Sequence, residues 1–188
     1  MNKEQYLVVV SGPSGSGKDT VVSRLRELHP EIEVSISATT RGMRPGEAEG
    51  VNYYYLQKEE FERRIEQNEI LEYTQYCGNY YGTPKAEVDR RISEDHTVIL
   101  VIEIEGAANI KRIYPGSTTV FVCPPSFEEL EKRLRGRGTE SEEAIQKRMA
   151  RAHEEMKLAD SYDEVVVNED VDACAEQLYA MIQKHQQN

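Results

Sequence analysis

One stretch constrains this chain more than any other: Gly12-Pro13-Ser14-Gly15-Ser16-Gly17-Lys18-Asp19-Thr20, directly behind the apolar run Tyr6-Leu7-Val8-Val9-Val10. A short β-branched run reads as a buried strand. The glycines let the backbone turn tightly and aim successive N–H groups into one concavity, which is an anion cradle. The segment Val21–Leu28 reads as a helix whose N-terminus adds its positive dipole end. Lys18 reaches from that cradle to the terminal phosphates of a nucleotide. Strand, glycine-rich loop and helix in this order form a P-loop. The residue after the lysine is ordinarily Ser or Thr, whose hydroxyl helps to hold Mg²⁺. Here it is Asp19, with Thr20 one place later. Thr20, a water molecule or Asp19 can each fill that place.

The chain has 188 residues, enough for one well-buried core with a small inserted subdomain. A formal net charge of −11 argues against long nucleic acid as a partner, while local arginine clusters still admit a small nucleotide. The three cysteines, Cys77, Cys123 and Cys174, are far apart and have no metal spacing, as expected of reduced thiols in a cytoplasmic protein. No signal peptide is expected, and no apolar run approaches membrane-spanning length.

Strand and helix patterns alternate, which implies a mostly parallel sheet covered on both faces. The strands expected are Leu7–Val10, Val98–Ile102, Thr118–Cys123 and Glu164–Val167, each apolar enough to be buried on both sides. Ser126 with Glu129, and Thr139 with Glu142, read as capping-box helix starts. Ile145, Met149, Ala152, Met156 and Ala159 form one apolar helix stripe; Val171, Cys174, Ala175, Leu178 and Ile182 form another. Two regions break the alternation. From about Ser37 to Gly82 the chain reads as an α+β insertion, with an aromatic strand Tyr53–Tyr55, a polar helix around Phe61–Gln67 and a tyrosine-rich stretch from Tyr73 to Tyr81. From Arg133 to about Ser141 a basic, glycine-containing segment suits a lid.

The ordered motifs resemble those of the guanylate kinases along nearly the whole chain. They are the loop Gly12–Lys18, then Ser37-Ala-Thr-Thr-Arg41 with Arg44-Pro-Gly-Glu47, and Gly78-Asn-Tyr-Tyr-Gly-Thr83. Glu105-Gly-Ala107, Pro124-Pro-Ser126, Arg133-Leu-Arg-Gly-Arg137-Gly-Thr139-Glu140 and Val165-Val-Val-Asn168 complete the set. The resemblance implies an α/β three-layer P-loop kinase with a core (1–36, 84–132, 160–188), a GMP-binding subdomain (37–83) and a lid region (133–159). It implies transfer of a phosphoryl group from MgATP to GMP, and to dGMP, by a monomer or homodimer.

Residue roles follow from the resemblance. Gly12 to Thr20 and Asn168 match ATP-binding positions, Asn168 beside the adenine. Arg41, Arg44 and Tyr53 match the grip on the GMP phosphate, and Tyr81 matches a tyrosine on the phosphate or on the ring face of the base. Ser37, Glu72, Thr83 and Glu103 match the guanine site. Lys18, Arg41, Arg44, Arg137 and Arg148 match the groups that neutralise the transferring phosphates, with Arg133 a further member. Arg135 and Arg151 read as surface residues. Guanidinium forks suit phosphate because they donate bidentately and keep their charge. A carboxylate at Glu72 suits a base edge carrying two donors, which adenine lacks. Thr83 before Pro84 also reads as a helix N-cap. The sequence departs from the family at Val101, Glu103 and Glu105, where the family usually carries an acidic residue, aspartate and glutamine, and at Asp19. Two other readings remain: a same-fold kinase acting on a sugar phosphate such as ribose 1,5-bisphosphate, and a non-catalytic module that holds phosphopeptides.

Overall fold

The computed structural model describes residues 3–76, 78–136 and 141–187. A short 3-10 turn, Lys3–Tyr6, leads into β1 (Leu7–Ser11), whose five residues are all buried. Burial on both faces explains why the run is apolar without alternation. Val8 and Val10 pack on one side against Val21, Val22 and Leu25 of α1 (Lys18–Leu28) and Cys174, Ala175, Leu178 and Ile182 of α7 (Val171–Gln186). Leu7 and Val9 pack on the other side with Val88 and Ile92 of α3 (Lys85–Ser93) and Ala107 and Ile110 of α4 (Ile104–Ile113). Helix, sheet and helix make the three layers expected.

β2 (Glu33–Val34), β7 (Val98–Val101), β8 (Thr118–Cys123) and β9 (Glu164–Val167) complete the central sheet in the order β2-β7-β1-β8-β9. Every pair in it is parallel. The chain after β1 thus leaves the middle of the sheet at its carboxyl end, where open α/β sheets bind ligands.

A second sheet of four strands, order β4-β3-β6-β5, comprises β3 (Ala38–Thr39), β4 (Tyr54–Tyr55), β5 (Ile70–Tyr76) and β6 (Asn79–Pro84). α2 (Lys58–Glu66) covers it through Phe61, which is buried with Ala38 and Ile70 and stacks on Tyr80 at 5.1 Å. α5 (Phe127–Gly136) and α6 (Glu142–Met156) pack against each other through Leu130, Leu134 and Ala152. No helix among the described residues is long and apolar enough to cross a membrane.

Four local expectations need correction. β9 is an edge strand, and Val165 and Val167 remain 42% and 49% exposed, so only Val166 is core. α6 is capped by Ser141, whose hydroxyl accepts from the Ala144 amide at 3.3 Å; Glu142 is already helical, and Thr139 lies outside the described residues. The apolar stripe on α6 stops with the helix at Met156, and Ala159 sits in a separate 3-10 turn. Thr83 is not a helix cap: Pro84 stays extended at φ −66°, ψ 128° as the end of β6, and α3 starts one residue later than the Thr-Pro pattern implies. Ser126 does cap α5, accepting from the Glu129 amide at 3.2 Å.

Candidate active site

The phosphate loop connects β1 to α1. Gly12 has φ +146°, and a Cβ there would lie 2.3 Å from the Val122 carbonyl oxygen, so the position needs glycine for both conformation and space. Gly17 has φ +89° and stands equally close to the Asn168 side-chain amide. The Ser16 amide donates to the Pro13 carbonyl at 3.0 Å, and the Val21 amide donates to Gly17 at 3.0 Å as α1 begins. Lys18 is 8% exposed, and its ammonium lies 3.5 Å from the Gly12 carbonyl. A lysine folded back on its own loop in this way keeps its charge at the mouth of the cradle.

Below the loop, Asn168 is 2% exposed and donates from Nδ2 to the Ser16 carbonyl at 2.8 Å. Arg133 donates to Glu129, to the Ser16 carbonyl at 3.2 Å and to the Asn168 carbonyl at 3.1 Å. Both residues brace the underside of the loop. Asn168 therefore has a mechanical task in addition to the adenine contact expected of it, and Arg133 is a brace rather than a free lid arginine.

Two adjoining clefts open beside the loop. One, of about 220 Å³, is lined by Lys18, Asp19, Ser37, Tyr53, Tyr81 and Glu103, among others; the second, of about 350 Å³, runs past Ser14, Glu103, Arg148 and Arg151. Glu72 and Thr74 line both, as does Glu103. A small-molecule site typically takes about 300–1,000 Å³, so the two clefts together have room for one nucleotide end to end.

One wall of the cleft is built on the β5–β6 pair. Thr83 is 1% exposed and its hydroxyl donates to a Glu72 carboxylate oxygen at 2.6 Å. The other Glu72 oxygen faces Gly106, where a Cβ would sit 2.7 Å from it. Burial pushes the Glu72 carboxyl above the ordinary glutamate range, opposed by the Thr83 hydrogen bond and reinforced by the nearby Glu103 charge. Glu103 is the residue before α4, at the carboxyl end of β7.

Beside Tyr53, the loop after β3 carries the arginines of the motif. Arg41 donates both terminal nitrogens to Glu47, at 2.7 and 3.0 Å, and its guanidinium lies 5.4 Å from the Tyr53 ring centre and 5.9 Å from that of Tyr55. Glu47 also accepts from the Arg44 amide and the Tyr55 hydroxyl, both at 2.8 Å. These donors, Arg41 foremost, hold its carboxyl down at about 2. The Tyr53 and Tyr81 rings meet edge to face at 6.0 Å, and burial raises the Tyr53 hydroxyl above its usual range. The Arg44 side chain is exposed.

The structure thus brings Lys18, Ser37, Tyr53, Glu72, Tyr81 and Glu103 to one cleft, with Thr83 behind Glu72 and Arg148 on the lid side. Asp19 lines that cleft and Thr20 is not among its lining residues, although both side chains are exposed. Arg137 lies outside the described residues. Arg135 pairs with Glu131 and Glu142 on the surface, as expected. Arg151 does not lie on an idle surface: it lines the second cleft and pairs with Glu155 and Glu103. Its position three residues after Arg148, hence on the same face of a helix, was the available signal.

A guanylate kinase family model matches residues 4–185. The guanylate kinase of Synechococcus sp. (strain CC9311) is 48% identical over 170 residues, covering 90% of each chain. That of Desulfitobacterium hafniense (strain Y51) is 46% identical over 176 residues, 94% of this chain and 88% of the relative. The chain belongs to the guanylate kinase family. The crystal structure of guanylate kinase from Anaplasma phagocytophilum superposes on it with a TM-score of 0.75 at 32% identity, covering 97% of this chain and 86% of that one. A guanylate kinase is a transferase and a nucleotide-binding enzyme, and the three-layer fold above is that of a P-loop kinase.

Oxygen donors around the cradle suit a hard cation. Asp19 and Glu103 line the same cleft as Lys18, and among the described residues no three His, Cys, Asp or Glu side chains converge on one point. A cation that keeps its waters and binds mainly through substrate phosphates fits that arrangement, and Mg²⁺ is such a cation.

Proposed function

We propose that this guanylate kinase moves the γ-phosphoryl group of MgATP to GMP with the residues assembled above, the GMP-binding subdomain being 37–83, the lid region 133–159 and the remainder core. One observation carries the reading: a carboxylate suited to a base edge, Glu72 held by Thr83, opens into the same cleft as the P-loop lysine. A sugar-phosphate kinase has no use for a buried, hydroxyl-anchored carboxylate there. A phosphopeptide module has no use for Lys18 in an intact phosphate loop.

Phosphoryl transfer demands alignment and charge neutralisation more than covalent help. Backbone N–H groups of the Gly12–Thr20 loop, Pro13 and the internally bonded Ser16 excepted, and the Lys18 ammonium hold the ATP β- and γ-phosphates. Arg41 and Arg44, with Tyr53 and Tyr81, hold the GMP phosphate, whose oxygen attacks the γ-phosphorus as the bond to the bridging oxygen of ADP breaks. Arg137 and Arg148 swing over the equatorial oxygens, and Asn168 lies on the adenine side. Glu72 and Glu103 accept the guanine N1–H and exocyclic amino protons, and Ser37 and Thr83 complete the polar ring around the base. Mg²⁺ bound with ATP would neutralise developing charge on the phosphates; Asp19 would order its water shell, with Thr20 the remaining hydroxyl. Both nucleotide halves must close on the core to exclude water.

The test is ADP release with MgATP and GMP, dGMP, AMP, UMP or ribose 1,5-bisphosphate as acceptor. Turnover with GMP and dGMP far above AMP supports the assignment of Glu72 and Glu103. Equal turnover with AMP would remove it, and turnover with the sugar phosphate would replace it. Titrating Mg²⁺ in the same assay must show that activity needs the metal.

A further inference from the structure

We propose that Arg151 is a specificity-determining positioning residue, which reaches from the lid helix to hold Glu103 in place beside Glu72 on the guanine-binding floor. The proposal rests on the reading of Glu103 given above and deepens it. Arg151 stands on α6, and its Nε donates to Glu155 at 2.6 Å. Glu155 is itself 8% exposed and so forms a fixed anchor for the guanidinium. The free end of the fork, Nη2, then lies 3.4 Å from Glu103 Oε2.

Three facts give this contact a purpose. Glu103 is 44% exposed at its side chain and has no other described ion-pair partner, so without Arg151 its longer arm is free to rotate away from the base. Glu72 and Glu103 repel each other, and guanine needs both as acceptors at once. A cation beside Glu103 offsets that repulsion. Finally, Glu105 also acts on Arg151, so the guanidinium is drawn towards the β7–α4 junction from two sides.

The consequence is that the base floor and the lid helix are connected before any substrate arrives. Filling the guanine site and positioning α6 then act on one ion pair. The contact does not touch the transferring phosphate, so it contributes to binding of GMP equally in ground and transition states, and its loss belongs in KM rather than kcat.

The experiment is a double-mutant cycle on the full chain with R151A, E103Q and the pair, measuring KM and kcat for GMP and for IMP, which lacks the exocyclic amino group. R151A is expected to raise KM for GMP about five-fold, the upper end for a solvent-exposed ion pair. It should leave kcat and KM for ATP within two-fold and narrow the preference for GMP over IMP. R151K should restore most of the loss. In the E103Q background R151A should have no further effect. Additive effects of the two substitutions, or a fall in kcat with R151A alone, would overturn the proposal and make Arg151 an independent lid residue. If E103Q itself leaves GMP binding and the GMP-to-IMP preference unchanged, the assignment of Glu103 falls and this proposal falls with it.

Discussion

The five-stranded and four-stranded sheets bury very different amounts of themselves. In the central sheet β1 and β8 are buried along their whole length, and the cluster on one face alone joins fourteen buried residues from strands and helices. In the second sheet β3 and β4 have two residues each, and three buried side chains, Ala38, Phe61 and Ile70, hold α2 to it. Apolar burial at about 25 cal/mol per Å² makes the first a stiff platform and the second a thin shell. The site divides along the same line. The phosphate loop, Lys18 and Asn168 belong to the platform, while Glu72, Thr83, Tyr53, Tyr81 and Arg41 belong to the shell. On the reading proposed above, the donor phosphates are held by the platform and the acceptor, its phosphate included, by the shell, a division that suits closure.

The largest break in that comparison comes from Lys18. Lys18→Met should lower turnover about 10³-fold, in line with the loss of a preorganised donor to developing charge. The melting temperature should stay put, because the ammonium's only described contact is a long one to Gly12. A substantial fall in melting temperature would mean that the lysine also holds the platform together.

Glu72→Gln comes next and moves stability and function in opposite directions. A side-chain amide keeps an acceptor for Thr83 but offers an N–H where guanine also offers one, so KM for GMP should rise about 10²-fold or more. Burial raises the Glu72 carboxyl in the folded protein, so the native state holds its proton more tightly than the unfolded chain. The sign then follows: its contribution to stability is greatest below the ordinary glutamate pKa and declines as pH rises through the raised one. At neutral pH the ionised carboxylate therefore costs stability, and the Gln variant should melt higher. The same shift makes Glu72 gain a proton before ordinary glutamates as pH falls, so KM for GMP should climb on mild acidification. That limb should vanish in the Gln variant. The Arg41–Glu47 pair does not supply it, since Glu47 stays ionised down to about pH 2.

Two core truncations test the thickness of each half. Leu25→Ala on α1 empties a fully buried place and should cost about 3 kcal/mol of global stability in a single transition. Phe61→Ala removes a larger side chain, yet it should register mainly as faster amide exchange in 38–84 and weaker GMP binding, because the shell can open without unfolding the platform. Equal losses of global stability would show that the two sheets unfold as one unit.

The same contrast decides what could be read from the sequence. Leu7–Val10, Thr118–Cys123 and the stripe on α7 were legible because burial on both faces, or on one helical face, imposes a pattern on consecutive residues. The exposure of Val165 and Val167 was not, since an edge strand and a central strand can carry the same letters and differ only in which neighbour arrives. At the site, Lys18 and the glycines announced themselves through local backbone chemistry. Thr83 came only through the family resemblance, since a Thr-Pro pair by itself signals a helix cap; it is the antiparallel pairing of β5 with β6, irregular between Ile70 and Tyr73, that brings its hydroxyl to Glu72. Arg151 was missed for a similar reason. Its partners Glu103 and Glu155 lie forty-eight residues away and on the next turn of its own helix; the side chain stays 63% exposed, as a charged helix position suggests, and only the fold brings Glu103 within its reach.

The smallest effects compare two helix caps. Asp170 accepts from the Ala173 amide at 2.9 Å at the start of α7, and Ser141 accepts from the Ala144 amide at 3.3 Å at the start of α6. Loss of either side chain removes about 1 kcal/mol of local capping energy. α7 carries Cys174, Ala175, Leu178 and Ile182 into the platform, so fraying its first turn loosens packed core, and Asp170→Ala should lower global stability by close to that full amount. α6 reaches its first buried residue, Ile145, at the same helical position, but its Ala152 packs with Leu130 and Leu134 of α5 and not into the platform. Ser141→Ala should therefore leave the melting temperature within error and speed exchange only at the amides of its first turn, read by hydrogen exchange residue by residue. If Ser141→Ala lowers the melting temperature as far as Asp170→Ala does, then α6 and the platform unfold as one unit, and the thin packing between α5 and α6 does not set α6 apart.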